Sequence, residues 1–150
     1  MISIGLRVEP KKITFAIIDI EENEILNIEK LIVPTSLDVP EQLKYIRLNL
    51  LDIIREYDVN VAGIRITESN AQTLNVERIR IEGVIQEAFA SSSIEKYFIG
   101  QISSISAKLG FPRTDFKKYI DNTLEYNIEG WENLRSEEKE AVFVAIGATL

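Results

Sequence analysis

Residues 2–33, ISIGLRVEPKKITFAIIDIEENEILNIEKLIV, decide the fold. Ile2, Ile4 and Leu6 alternate along a first strand until the polar stretch Glu9-Pro10-Lys11-Lys12 interrupts it. Ile13 to Ile20 then resumes with the β-branched and aromatic residues that suit a pleated surface. Glu21-Glu22-Asn23-Glu24 makes a second break, and Ile25 to Val33 is a third strand. Connections this short leave no room for a helix, so the three strands are expected as an antiparallel meander.

Beyond this stretch the period changes. Pro34 and Pro40 bracket a loop, and Pro40 suits the first residue of a helix. Leu43, Ile46, Leu50, Ile53, Ile54 and Tyr57 fall on one stripe of a 3.6-residue repeat, which predicts a helix packed on the core. Val59 to Thr67 (VNVAGIRIT) reads as a short buried strand of the parallel kind. A second helix is expected from about Leu74 to Ala90, with Gly83 marking a close approach to the sheet, because an interior glycine costs about 1 kcal/mol. Glu95 to Ile99 is a fifth strand, Gln101 to Leu109 a brief helix stopped by Gly110 and Pro112, and Thr114 to about Asn122 another. Ser136 is the expected cap of a last helix whose first turn holds Glu137 and Glu138. That helix runs into the nearly all-apolar AVFVAIGAT of residues 141–149, so it should be buried against the sheet.

The composition narrows the chemistry. The chain has 150 residues, no Cys and no His, which excludes disulfides, thiolate nucleophiles, Ser-His dyads and imidazole metal sites. Carboxylates, Lys, Arg, hydroxyls and backbone groups remain. With 17 Lys+Arg against 24 Asp+Glu the formal net charge is −7, which argues against a general affinity for nucleic acid but not against a local basic face. No basic leader and no apolar run of membrane-spanning length is present, so a soluble protein of the cytoplasm, with no membrane partner, is the expectation. No repeat or interdomain linker divides the chain, and residues 1–150 read as one domain.

The order β-β-β-α-β-α-β followed by helices predicts an α/β fold. Right-handed crossovers give a mixed five-stranded sheet of order 3-2-1-4-5, with strand 2 antiparallel and helices on both faces, the ribonuclease H-like arrangement. A doubly wound sheet would need a helix where Glu9 to Lys12 stand.

Three segments carry a resemblance to a known family. IGLRVEPKKITFAII (4–18), the strand, loop and RIEGVI-containing helix of residues 61–85, and the closing EEKEAVFVAIGA resemble the RuvC-type Holliday-junction resolvases of the ribonuclease H-like superfamily. The resemblance covers nearly the whole chain in element order. It implies two-metal phosphodiester hydrolysis, with carboxylates from the first strand, the fourth strand and the last helix converging on two Mg²⁺ or Mn²⁺ ions. It also implies a homodimer.

Position by position, half of that set is reversed in sign. The first-strand carboxylate would stand at residue 7, which is Arg7; the fourth-strand one at 64 or 65, which are Ile64 and Arg65. The last-helix acids would stand at 137 and 140, where Glu137 and Glu140 are present. Two carboxylates exchanged for two guanidiniums shift the local charge by about four units. A divalent ion about 5 Å from an arginine would lose several kcal/mol at an effective dielectric of about 20. Arg7 and Arg65 are therefore expected to pair with Glu137 and Glu140 as the remnant of an active site. A phosphate- or carboxylate-binding arginine pair is the functional alternative.

The resulting expectation is a non-catalytic domain acting as a binding or assembly module, without a cofactor and with a protein partner. The alternative is a divergent nuclease using Mg or Mn, with Glu137 and Glu140 catalytic and Glu9, Glu68, Glu137 and Glu140 as metal ligands. A third reading places nucleic acid, branched or single-stranded, on Lys108, Arg113, Lys117 and Lys118, interleaved with Phe111 and Phe116. Phenylalanines at that spacing beside a proline also suit helix packing, and Trp131 suits an anchor for the last connection. A phosphate-loop ATPase is discarded, because Glu9 to Lys12 supplies neither Gly nor Ser/Thr.

Overall fold

The turn at Glu9 joins β1 (Ile2–Val8) to β2 (Lys12–Asp19) and is closed by Glu9 N donating to Lys12 O at 2.9 Å. The next turn leads to β3 (Glu24–Ile32): Asp19 Oδ1 accepts from Glu21 N and Glu22 N, and Asn23 takes the left-handed conformation that Asn tolerates. The computed structural model describes all residues 1–150. The remaining elements are α1 (Val39–Glu56), β4 (Val61–Arg65), α2 (Val76–Ala90), β5 (Lys96–Gly100), α3 (Ile102–Leu109), α4 (Arg113–Ile120), a single 3-10 turn (Trp131–Asn133) and α5 (Ser136–Gly147). The strands form one sheet of order β3-β2-β1-β4-β5. β2 runs antiparallel to both neighbours, whereas β1, β4 and β5 are parallel.

Strand alternation sends two sets of side chains to two cores. Ile4, Leu6 and Val8 of β1, with Ile13, Phe15 and Ile17 of β2 and Ala62 and Ile64 of β4, pack under α1 and α2. Ile46, Leu50 and Ile54 are the buried line of α1, as the stripe requires. On the opposite face Ala16 and Ile18 meet α5, whose Phe143 gathers Phe111, Phe116, Tyr119, Tyr126 and Trp131 around it. Trp131 is completely buried and donates from Nε1 to Tyr119 O at 3.0 Å, which anchors the long connection before α5.

Several local details differ from the sequence reading. α1 begins one residue before Pro40, capped by Asp38 Oδ1 accepting from Glu41 N. α2 begins at Val76 behind an Asn75 cap. Ser136 is the first helical residue of α5 rather than its cap; Arg135 is the cap, and Glu138 reaches back to accept from its backbone N–H at 2.7 Å. Gly83 marks no close approach, because a Cβ there would meet nothing within 4 Å. The glycines that admit a helix are Gly5 and Gly63. A Cβ on Gly5 would stand 1.9 Å from Ala141 O, and one on Gly63 would stand 2.3 Å from Val144 O, both on α5.

This contrast is testable by denaturant unfolding. Gly5→Ala forces α5 off the sheet and should cost at least about 3 kcal/mol. Gly83→Ala should instead stabilise by about 0.5–1 kcal/mol, since it only removes backbone freedom from an open helix surface.

Candidate functional site

The sheet register brings Thr14, Arg7, Arg65 and Gly100 abreast across β2, β1, β4 and β5. In this row the side chains of Arg7 and Arg65 lie on the α5 face, at the carboxyl ends of the parallel strands β1 and β4. The row two residues earlier holds Gly5 and Gly63, where α5 touches the backbone. Glu140, next to the Ala141 carbonyl seated over Gly5, is thereby lowered between the two arginines.

Glu140 uses one carboxylate oxygen for each. Arg7 Nε donates to Oε2 at 3.0 Å, and Arg65 Nε lies 3.2 Å from Oε1. The two contacts differ in kind: the first is a directed hydrogen bond, whereas the second is off the N–H axis, so Arg65 Nε has charge contact but no hydrogen-bond acceptor. Arg7 also donates from Nη1 to Val8 O. Burial pushes the Arg65 guanidinium below its ordinary value, and the charges of Arg7 and Arg78 push the same way against Glu140.

Glu137 has a different partner from the one expected. It takes Lys12 at 3.3 Å, and Lys12 also lies 3.5 Å from Glu9. One turn of α5 separates the two acids, which carries Glu137 past the arginine row to the start of β2. Burial raises the Glu137 carboxyl, but its own backbone N–H and then Lys12 outweigh that and hold it below the ordinary range. Glu68 is committed elsewhere: Oε1 accepts from Ile102 N at 3.0 Å at the start of α3 and is 3.8 Å from Arg65 Nη2.

The candidate metal set is thus divided. Glu140 belongs to two arginines, Glu137 and Glu9 to Lys12, and Glu68 to a helix terminus. No three acidic side chains converge in a way that would hold a metal ion. The residues present do not fit the two-metal arrangement that the family resemblance implies.

Two residues of the cluster lay outside the sequence reading. Glu82 is buried on α2 and accepts from Thr67 N and Thr67 Oγ1, while Arg78 Nε donates to its Oε2 at 2.8 Å. Burial lowers the Arg78 guanidinium, and Arg7 adds to the effect. The available signal was the i,i+4 spacing of Arg78 and Glu82, which equally describes an exposed helical pair.

The basic segment is pulled apart by folding. Phe111 and Phe116 each pack 5.5 Å from the Phe143 ring, turned into the core, so neither is left as a stacking platform. Lys108 donates to Leu150 O and lies over Phe98, and Lys118 pairs with Asp115. Arg113 and Lys117 are exposed on α4.

No protein-family model and no curated protein matches this chain. Among solved structures it is similar to Thermus thermophilus RuvC, with a TM-score of 0.72 at 10% identity, over 98% of this chain and 92% of that one. It is also similar to T. thermophilus RuvC in complex with Holliday junction substrate, with a TM-score of 0.70 at 10% identity and the same coverage. No helix is long and apolar enough to cross a membrane. With the strand order above, these likenesses make the fold the ribonuclease H-like fold of RuvC.

Removing one partner of a buried ion pair leaves the other uncompensated. Glu140→Ala should therefore cost about 3 kcal/mol by denaturant unfolding. The Glu137 contribution has a definite pH sign. Because its folded value is depressed, its stabilisation is present above the ordinary glutamate value of 4.5 and is lost as pH falls through the folded value. Wild type and Glu137→Gln should differ in stability at neutral pH and converge on acidification below that point.

Proposed function

We propose that this chain is a non-catalytic ribonuclease H-like domain that serves as a binding or assembly module. The observation that carries this reading is Glu140 held between Arg7 and Arg65, at the strand ends where the RuvC resemblance puts metal-binding carboxylates. Two guanidiniums there repel divalent cations and favour anions. The neighbour in complex with Holliday junction substrate supports nucleic acid as the class of partner.

A second reading, a divergent Mg- or Mn-dependent nuclease, draws on Lys12. Its ammonium group is shared by Glu9 and Glu137, so two carboxylates already face a common cation.

The two readings separate in one assay. Branched DNA and single-stranded DNA or RNA incubated with the protein and Mn²⁺ should remain uncut, and calorimetry should detect no Mn²⁺ binding at millimolar concentrations. Cleavage that disappears in Glu137→Gln, which leaves the Glu140 ion pairs in place, would establish the nuclease instead.

A further inference from the structure

Arg65 is held in an environment that does not use it fully. Its side chain is only 8% exposed, yet Nε has no hydrogen-bond acceptor, and Nη2 stands 3.8 Å from a Glu68 oxygen already taken by Ile102 N. Arg78 repeats the pattern: Nε is held by Glu82, while the buried Nη2 has no partner. An unpaired buried donor costs about 1–3 kcal/mol, and more when charged, so such groups are rare unless an acceptor normally joins them.

The missing acceptor can be described. Arg7, Arg65 and Arg78 come from β1, β4 and α2, and each guanidinium carries five N–H donors. Glu82 is occupied by Thr67 as well as by Arg78. Glu140 has only two oxygens, divided between Arg7 and Arg65, and it gives Arg78 none. The charges of Arg7 and Arg78 both act on Arg65, and that of Arg7 acts on Arg78, so the three guanidiniums share one neighbourhood although α2 lies across the sheet from α5. Donors from three elements suit an acceptor with three peripheral oxygens. A phosphate monoester presents these in a tetrahedral array and carries close to two negative charges at neutral pH. An internal phosphodiester presents two such oxygens and continues as chain on both sides. With the three arginine side chains at most 17% exposed, only the end of a molecule can reach them.

We propose that Arg7, Arg65 and Arg78 form a receptor for a terminal phosphate monoester, with Glu140 as the internal carboxylate that the phosphate displaces. The proposal rests on the non-catalytic reading, since a metal pair in the same place would need carboxylates where these arginines stand. Either a nucleic-acid end or a free phosphate can supply the ligand chemistry.

The test uses the whole chain at constant ionic strength, with chloride as the control anion. Inorganic phosphate should raise the melting temperature, and a 5′-phosphorylated single strand should bind at least about tenfold tighter than its 5′-hydroxyl twin, a difference of about 1.4 kcal/mol. Glu140→Gln should tighten both by several-fold because it weakens the internal competitor. Arg78→Gln, on the α2 side of the cluster, should abolish the preference for the phosphorylated end. Stabilisation by inorganic phosphate without preference between the strands, if lost in Arg78→Gln, would assign the receptor to free phosphate. The proposal is overturned if neither wild type nor Glu140→Gln responds to phosphate, or if Arg78→Gln binds as wild type does. Cleavage of the same strands in Mn²⁺ would sink the non-catalytic reading whatever the binding result. Absence of phosphate binding without cleavage would sink only the receptor.

Discussion

The close seat of α5 on the sheet is the constraint from which the rest of the molecule follows. Gly5 and Gly63 lie side by side on β1 and β4, and the Ala141 and Val144 carbonyls occupy the space their side chains would fill. Ser3 Oγ donates to Ala145 O at 2.6 Å one row further along, so contact runs the length of the helix. A helix held this near the backbone has little freedom to slide or rotate. Its residues therefore meet defined rows of the sheet, and Phe143 can collect the aromatic cluster that covers the second core.

The same seat explains the charge arrangement. Glu140 precedes Ala141, so the helix placement leaves it over Arg7 and Arg65 rather than in solvent. The four acids offered as metal ligands are separated by small differences in placement, with Glu9 joining Glu137 on Lys12. Glu137 reaches Lys12, Glu68 caps α3, and Glu140 meets the arginines. Buried ion pairs of this kind add little net stability, because desolvation offsets most of the attraction, but they strongly penalise the loss of one partner. The cluster is thus tightly specified and still short of acceptors, a combination that is costly unless another anion joins it.

Much of the fold was legible because its cues are local. The period of two in residues 2–33, the short turns at Glu9 and Glu21, and the stripe from Leu43 to Tyr57 required no knowledge of distant neighbours. Strand order then followed from the handedness of the crossovers. Arg7, Arg65 and Glu140 were also legible as a group, through the family resemblance. Gly83 misled because an interior glycine carries the same signal whether a sheet or open solvent lies above it. Arg78 and Glu82 passed unnoticed because their spacing is that of any surface pair.

The sequence by itself determined the element order, the two-faced strands and the exclusion of thiol and imidazole chemistry, since periodicity and residue type are properties of the chain alone. Only the tertiary structure decided which acid meets which base. Arg7 and Glu140 are 133 positions apart, and their pairing depends on the helix–sheet separation that two glycines permit. It also decided that Phe111 and Phe116 serve the core and that Arg65 Nε lacks a hydrogen-bond acceptor. Hydrogen bonds depend on tenths of an ångström and on angles, and those are set by packing between elements rather than by spacing within one.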